Sequence, residues 1–324
     1  MRALVVSNML PDGAHPERGR FVRDQVHALR ALGGVEVELH EFAPGARALA
    51  GAACGLRRRF PARAGRFDVV HAHFGLTAWP CLAVRARVRA LTLHGTDVRH
   101  PRTRLATLAA IARMDLLAVA SAALAEELPP RAARRAQVLP CGVDLERFRP
   151  LERARARAEL GLAAEGPYLL FPADPARAEK RHDLAAALAR ACDVPLLALG
   201  GVAPERVPLW VNAANAVLVP SEREGFGLAV LEALACEVPV LATPVGVHRE
   251  ALQGIAGTLC APFELERWRA ALQPHLRRGD PRVAGRASAG RFSAATMAAR
   301  VLDAWRAALA CAAPGDARDS MERA

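Results

Sequence analysis

Short apolar runs alternate with helix-forming segments along most of this chain, and that alternation constrains the fold more than any other feature. Six runs in the first part have the length and composition of strands: Ala3–Ser7, Val35–Phe42, Asp68–His73, Ala90–His94, Leu116–Ala120 and Gln137–Pro140. Five more follow in the second part: Tyr168–Phe171, Pro195–Leu199, Ala216–Val219, Val238–Ala242 and Gly257–Cys260. Strands that alternate with helices in this way predict an α/β fold with parallel sheets.

The stretch 141–166 separates the two series of strands. It contains turn residues, a Phe-Arg-Pro stop and the charged helix-forming segment Leu151–Leu160. We therefore expect two doubly wound, Rossmann-like domains that face each other across a cleft, with functional side chains just after the strands. The expected parts are an N-terminal domain at 1–145, a C-terminal domain at 146–292, a last helix at 293–311 and a disordered tail at 312–324.

Composition narrows the class of protein. A chain of 324 residues is long enough for two cores, and a hydrophobic content of 52% argues against extended disorder. The net charge of +11 is of the kind that attracts nucleic acid or an anionic membrane surface. However, all but one of the 44 basic residues are arginines, as expected from a GC-rich genome. A merely solvated surface and a basic face near an anionic lipid or an acidic acceptor both stay open, and no nucleic-acid partner is predicted.

The cysteines and the N-terminus bear on the cellular compartment. Seven cysteines form no C-x-x-C pair and no zinc-ligand spacing, which favours reduced thiols. The apolar run at the N-terminus is too short for the core of a signal peptide, and no stretch approaches the length of a membrane span. We expect a cytoplasmic protein, with peripheral contact at the inner membrane face as an open alternative.

The segment Ser221–Thr243 is the most informative stretch for function. Two carboxylates, Glu224 and Glu232, bracket a turn with two glycines that opens a helix. Such a turn lets backbone N–H groups approach a ligand, and the start of a helix favours an anion. An ionised Glu can accept from two hydroxyls at once, which suits a sugar or a ribose. The segment therefore predicts one half of a nucleotide-sugar site.

Lys180 supports a phosphate site by an independent argument. It is the only lysine of the chain and follows a predicted strand. A lysine is a compact point charge on a flexible stem, whereas an arginine is a broad planar fork. A site that reaches phosphates between packed backbone segments can require the lysine. The alternative is chance, since one basic position among many had to be the exception.

These residues carry a family resemblance. The run from Glu224 to Glu232, Glu-Gly-Phe-Gly-Leu-Ala-Val-Leu-Glu, resembles the E-x7-E signature of retaining glycosyltransferases of family 4. Four other stretches resemble landmarks of that family, in its order: Gly19–Leu29, Asp68–His73, Leu91–Asp97 and Val138–Pro150. Each motif is weak when taken singly, and together they are specific. The resemblance covers nearly the whole chain and implies the two-domain GT-B fold, with the last helix returning toward the N-terminal domain.

The resemblance implies a role for each matching residue. Glu224, rather than the nearby Glu222, would bind hydroxyls of the donor sugar, and Glu232 would bind the ribose hydroxyls. His94 would lie beside the donor sugar, and Lys180 would bind the diphosphate. Backbone amides of the turn would support the sugar and the phosphate: Gly225, Phe226, Gly227 and Leu228.

Two positions depart from the family's pattern. The family usually has Gly-Arg directly after the strand, whereas here Arg177, three residues before Lys180, is the candidate for the second phosphate contact, with Arg181 as its competitor. Gly19 would let the first loop approach the diphosphate or the acceptor. Arg18 stands where the family commonly has a second glycine, which favours the acceptor role.

A larger departure lies between Leu184 and Trp210. One βα unit of about 30 residues is missing there before the nucleobase loop of the family. Gly201 and Val202 would still hold the edge of a base through backbone groups, but uracil specificity does not follow.

His71 and His73 are a further candidate pair, because residues two apart face the same side of a strand. No third metal ligand accompanies them, and the family needs no metal. We interpret them as structural or acceptor-facing.

The activity implied by the resemblance is a retaining, metal-independent transfer. A sugar would move from a nucleoside-diphosphate donor to an acceptor hydroxyl on a glycan, a glycolipid or a small molecule, without a cofactor. Two alternatives stay open: a nucleotide-sugar-binding GT-B protein that lost activity with the missing unit, and a nucleotide-sugar epimerase.

Overall fold

The computed structural model describes residues 1–312 and contains two parallel β-sheets. The six strands of the first sheet are β1 (Arg2–Ser7), β2 (Glu36–Glu41), β3 (Phe67–His73), β4 (Ala86–Leu93), β5 (Leu116–Val119) and β6 (Ala136–Val138). Their order is β2-β1-β3-β4-β5-β6. The second sheet consists of β7 (Leu169–Phe171), β8 (Leu196–Ala198), β9 (Ala216–Val219), β10 (Val240–Ala242) and β11 (Leu259–Cys260). Its order is β11-β10-β9-β7-β8.

Helices flank both sheets. The helices that precede β6 in sequence are α1 (Arg20–Leu32), α2 (Ala46–Arg59), α3 (Ala78–Cys81), α4 (Thr96–Arg99), α5 (Pro101–Ile111), α6 (Ala122–Glu126) and α7 (Pro130–Ala133). The later ones are α8 (Arg153–Leu160), α9 (His182–Cys192), α10 (Val207–Ala213), α11 (Leu228–Ala235), α12 (His248–Leu252), α13 (Leu265–Leu276), α14 (Arg286–Gly290) and α15 (Ala294–Cys311). Within residues 1–312, no helix combines the length and the apolarity that a membrane crossing requires.

Burial on both faces explains why the strands are continuous apolar runs, and the predicted α/β class is confirmed. Leu4 and Val6 of β1 belong to one core cluster, whereas Ala3 and Val5 belong to another. Alternate residues of a strand point to opposite faces, so the two clusters lie on the two sides of the sheet. A parallel sheet covered by helices on both sides has this pattern.

The limits of strand β10 differ from the prediction for a local reason. The strand begins at Val240 instead of Val238. Glu237 has a φ of 58°, and the N–H of Val238 donates to the carbonyl oxygen of Ala233 at 3.0 Å. These two residues therefore complete the end of α11 before the chain can pair with β9.

Helix α15 packs on the first sheet, although it follows the second sheet in sequence. It lies against α1 and β4, and its Val301 and Trp305 are fully buried in the core of the first sheet. The hydroxyl of Ser293 caps the helix by accepting from the N–H of Thr296 at 3.1 Å. Helix α15 thus completes the core to which β1 and α1 also contribute. The predicted tail lies outside the described residues, apart from Ala312.

Part of the arginine content is internal. Arg153 is 3% exposed and donates to the carbonyl oxygen of Asn212 at 3.2 Å. Arg286 donates to the carbonyl oxygens of Leu145 and Phe148 at 2.8 and 2.9 Å. These guanidinium groups satisfy backbone acceptors where the connection between the sheets meets the second sheet. The net charge therefore does not measure the charge of the surface alone.

Candidate active site

Several strands of each sheet end at one cleft. It encloses a cavity of about 420 Å³, which is within the size range of small-molecule sites. The first sheet contributes the loops after β1, β3 and β4 and the start of α1. The second sheet contributes the loops after β7, β8 and β9 and the start of α11. A ligand in this cleft would contact both sheets.

Two glycines allow the turn before α11 to pack between the sheets. A Cβ atom on Gly225 would overlap the carbonyl oxygen of His94 across the cleft. Gly227 has a φ of 110°, and a Cβ atom there would lie 2.5 Å from Nε2 of His248. Helix α11 begins immediately afterwards at Leu228. Its first N–H groups have no partner within the helix, so they can bind an anion at the cleft wall.

Lys180 and Glu224 form an ion pair in the cleft. Nζ of Lys180 donates to both carboxylate oxygens of Glu224, at 2.7 and 2.6 Å. The two side chains are only 15% and 8% exposed. The hydroxyl of Ser221 also donates to Glu224, at 2.8 Å. Because water is largely excluded, this pair is held more firmly than an ion pair on the surface.

The electrostatic surroundings keep Glu224 ionised. Burial acts to raise its pKa, but Lys180, His248 and the hydrogen bonds together outweigh burial, so that the pKa lies below its ordinary value. Glu222 is exposed and lies outside the lining of the cleft. The carboxylate that reaches the cleft from this loop is therefore Glu224.

Glu232 lies in the same cleft beside a cluster of charges. Asp24 of α1 accepts from Arg20 at 2.8 Å and from Arg147 at 2.8 Å. Burial raises the pKa of Glu232 to about 7; Arg147 and Arg20 act against this rise and Asp24 adds to it. Since Asp24 occupies both guanidinium groups, Glu232 is left as a carboxyl group that changes charge near neutral pH.

Three stacked histidines extend from the core of the first sheet to the cleft. The ring centroids of His71 and His73 are 4.8 Å apart, and those of His73 and His94 are 5.2 Å apart. Nδ1 of His73 lies 3.0 Å from Nε2 of His94. Burial lowers the pKa of all three rings, to about 3 for His71 and His94. All three are therefore neutral at pH 7.

The hydrogen bonds of the core assign the hydrogens on these rings. Nε1 of Trp305 donates to Nδ1 of His71 at 3.1 Å, so His71 carries its hydrogen on Nε2. Nε2 of His73 is buried without a partner, and an orphaned N–H group is rarer than an orphaned acceptor. We therefore assign the hydrogen of His73 to Nδ1, which donates to His94. His94 then keeps its own hydrogen on Nδ1.

Asp97 joins the two loops that end β3 and β4. Its carboxylate accepts from the N–H groups of His94 and Gly95, at 3.2 and 2.8 Å, and from that of Gly75 at 3.2 Å. Burial raises the pKa of Asp97, although these hydrogen bonds act against the rise. This side chain fixes the position of His94 relative to the end of β3.

Comparison with known proteins identifies the family. A model described as Glycosyltransferase Family 4 matches residues 11–147, and one described as Glycosyl transferases group 1 matches residues 145–277. The D-inositol 3-phosphate glycosyltransferase of Frankia alni is 30% identical over 317 residues, an alignment that covers 77% of this chain and 76% of that protein. The chain belongs to glycosyltransferase family 4. It is a sugar-transferring enzyme.

Other members of the family and several solved structures agree. The D-inositol 3-phosphate glycosyltransferase of Geodermatophilus obscurus is 31% identical over 296 residues, covering 74% of this chain and 66% of that protein. Sucrose-phosphate synthase from Thermosynechococcus elongatus superposes with a TM-score of 0.70 at 20% identity, over 96% of this chain and all of that one. HepE of Anabaena, solved in complex with UDP-glucose, gives 0.67 at 16% identity, over 95% and 100% of the two chains. The fold of this glycosyltransferase is therefore GT-B.

The structure brings all but one of the predicted site residues of this glycosyltransferase into the cleft. The lining includes His94, Arg177, Lys180, Gly201, Val202, Glu224, Gly225, Phe226, Gly227, Leu228 and Glu232. Gly19 is the exception: it lies directly before α1 with a φ of 68°, packs against Met9 and is not among the lining residues. Arg177 lines the cleft and donates to Glu179 at 2.8 Å, whereas its competitor Arg181 lies outside the lining.

The structure also shows lining residues that the sequence analysis did not select. Phe74 directly follows β3, and its position at the end of a strand was a usable signal. Phe21 belongs to α1 and also lines the cleft. Arg20 and Arg147 gave no signal, because arginine is common throughout this chain. His71 and His73 are buried in the core, and no group of three or more ligating side chains that could hold a metal ion occurs in the described part of the chain.

Proposed function

We propose that this glycosyltransferase takes its sugar from a nucleoside diphosphate and transfers it with retention of configuration, without a metal ion. The ion pair between Lys180 and Glu224 is the observation that carries the proposal. It places the only lysine of the chain next to a carboxylate and beside the start of α11. A cation, a carboxylate and open helix N–H groups at one point suit a molecule that joins sugar hydroxyls to phosphates.

Donor binding would exchange the partners of this pair. Lys180 would turn to the diphosphate, together with Arg177, and Glu224 would accept from two hydroxyls of the sugar. Glu232 would accept from the ribose, and the backbone at 201–202 would contact the base. The UDP-glucose complex of HepE supports uridine-diphosphate sugars as the first donors to test.

The transfer would be a front-face substitution. The bond between C1 of the sugar and the phosphate oxygen breaks, and the bond from C1 to the acceptor oxygen forms on the same face. The acceptor's proton passes to the departing phosphate oxygen. Negative charge grows on that oxygen in the transition state, so Lys180, Arg177 and the N–H groups of the turn stabilise it most at that point. These fixed positive groups would do the work that a divalent cation does in other enzymes.

The location of the reaction is part of the proposal. All seven cysteines are free thiols, as is usual in a reducing compartment. We propose that the enzyme works in the cytoplasm, with the inner membrane face as the place where a glycolipid acceptor would be met.

The donor is identified first, and Lys180 is then tested. A panel of nucleotides and nucleotide sugars should include members that raise the unfolding midpoint, because a ligand of the folded state stabilises it. With the best donor, we expect Lys180→Ala to lower turnover by about 10²–10³-fold, as found when one group that stabilises a developing oxyanion is removed. Turnover is measured as donor hydrolysis and as transfer to added acceptors.

Controls separate the role of Lys180 from its effect on folding. Arg181→Ala removes a neighbouring, partly exposed cation outside the cleft lining and should keep normal turnover. The double variant Lys180→Met/Glu224→Gln removes both charges at once, so no buried charge is left unpaired, and it should fold but be inactive. Near-normal turnover of folded Lys180→Ala would refute the assignment. Retention is read from the anomeric signal of the product by NMR, and metal independence from unchanged turnover in a chelator.

A further inference from the structure

The first sheet contributes an aromatic wall to the cleft, formed by Phe21, Phe74 and His94. The ring centroids of Phe21 and Phe74 are 6.1 Å apart. The ring of His94 lies 4.8 Å from that of Phe21 and 4.7 Å from that of Phe74. Met9 also lines the cleft. The aromatic wall therefore lies on the opposite sheet from Lys180 and Glu224.

Phe74 has a backbone conformation that a bulky residue rarely adopts. Its φ is 72° and its ψ is 141°. Such strain persists only where the surroundings impose it, and it concentrates at functional sites. Here the N–H of Phe74 donates to the carbonyl oxygen of Thr92 at 3.0 Å, and the N–H of Gly75 donates to Asp97 at 3.2 Å. The fold maintains a strained backbone at a residue whose side chain lines the cleft.

The charges around the aromatic wall disfavour an anionic ligand beyond the donor itself. Each lysine or arginine among the described lining residues has a carboxylate partner: Arg20 with Asp24, Arg147 with Asp24, Arg177 with Glu179 and Lys180 with Glu224. Arg20 is also bound to Glu205, at 2.7 Å. Glu17, an exposed carboxylate on the same side, adds negative charge to the lining. Once the donor diphosphate has taken Lys180 and Arg177, the first sheet offers ring faces and carboxylates.

We propose that the aromatic wall is the acceptor subsite and that it takes an uncharged sugar ring. This inference rests on the proposed function. The C–H face of the ring would pack on Phe21 and Phe74, and Glu17 would accept from one of its hydroxyls. Another hydroxyl oxygen would form the new bond to C1 of the donor sugar, and its proton would leave with the nucleoside diphosphate. A phosphorylated ring would lose its hydration without gaining a cation, so it would be rejected.

Matched acceptor pairs test the charge preference. Each pair combines a neutral ring with its phosphate: glucose with glucose 6-phosphate, and myo-inositol with an inositol monophosphate. We expect at least one neutral ring to be glycosylated with a kcat/KM about tenfold or more above that of its phosphorylated partner. A neutral ring that binds without reacting should still slow donor hydrolysis, because it displaces the attacking water. A preference for the phosphorylated member, or neutral rings that neither react nor slow hydrolysis, would overturn the inference.

A variant of the aromatic wall tests the place of binding. Phe74→Leu keeps an apolar side chain but removes the flat ring, and it should raise the acceptor KM about tenfold, a larger effect than any loss of donor hydrolysis. Phe60→Leu is the matched control, since Phe60 is a buried ring outside the cleft lining. Equal losses of hydrolysis and transfer in Phe74→Leu would show a structural role only. Absence of both donor hydrolysis and transfer in the unmodified enzyme would instead refute the proposed function.

Discussion

Two carboxyl groups of the cleft have pKa values that are shifted in opposite directions. Lys180 and His248 outweigh the burial of Glu224 and hold its pKa below the ordinary value, whereas burial raises that of Glu232 to about 7. Opposite shifts at one site usually mark different tasks. Glu224 is a permanent anion, as the proposed exchange of Lys180 for sugar hydroxyls requires. Glu232 holds a proton at mildly acidic pH and is mostly ionised above neutrality.

The pKa of Glu232 predicts how stability depends on pH. The folded protein binds this proton more tightly than the unfolded chain, whose carboxyl has the ordinary pKa of 4.5. The contribution to stability is therefore fully present below pH 4.5 and is lost as pH rises through about 7. Glu232→Gln cannot ionise and lacks this loss, which amounts to at most roughly 3 kcal/mol.

Urea unfolding of the unmodified enzyme and of Glu232→Gln, at pH 5 and pH 8, measures this difference. From pH 5 to pH 8, the free energy of unfolding of the variant should rise relative to that of the unmodified enzyme. Parallel changes in both proteins would show that Glu232 has an ordinary pKa.

At the scale of elements, the loops after β3 and β4 work as one unit because Asp97 binds both. Asp97→Asn keeps the shape of the side chain but replaces one acceptor oxygen by a donor, so a buried N–H group loses its partner. We expect a loss of about 1–3 kcal/mol in the free energy of unfolding. Donor hydrolysis should fall as well, because His94 lies on one of these loops and lines the cleft.

Thermal unfolding and hydrolysis rates of Asp97→Asn check this expectation. Asp115→Asn is a suitable control: its carboxylate also accepts from a backbone N–H, that of Arg89, at 2.8 Å, but it lies directly before β5, away from the two loops that Asp97 joins. A stable, fully active Asp97→Asn enzyme would contradict the role of Asp97.

The strands and helices were predictable from the sequence where their burial follows a regular pattern. Strands such as β5, buried at every residue, appear as apolar runs. Glu224, Glu232 and Lys180 were also predictable as candidate site residues. The two carboxylates bracket a turn with two glycines, and Lys180 is the only lysine of the chain. The conformation of Phe74 was not predictable, since it results from contacts with Thr92 and Asp97 that are distant in sequence.

At the scale of the whole molecule, the first sheet depends on helix α15. Trp305 is fully buried there and donates to His71. Trp305→Ala should destabilise the protein by about 3–5 kcal/mol, the usual cost of emptying a large buried site. Leu105→Ala, at a residue that is 79% exposed, should change stability by no more than about 0.5 kcal/mol. Urea unfolding of both variants measures the difference, and similar stabilities would contradict this packing.

The chain passes between the two sheets twice, and the two crossings are bonded to each other. The N–H of Val143 donates to the carbonyl oxygen of Phe292 at 2.9 Å, and the N–H of Ala294 donates to that of Val143 at 2.8 Å. We expect two adjacent, bonded crossings to allow rotation of the sheets about one axis and to resist twisting about the others. The width of the cleft would then be set by this one rotation, for the donor and for the acceptor alike. A donor that draws the sheets together on Lys180 would also bring Phe74 toward it, and so would set the distance over which the acceptor must react.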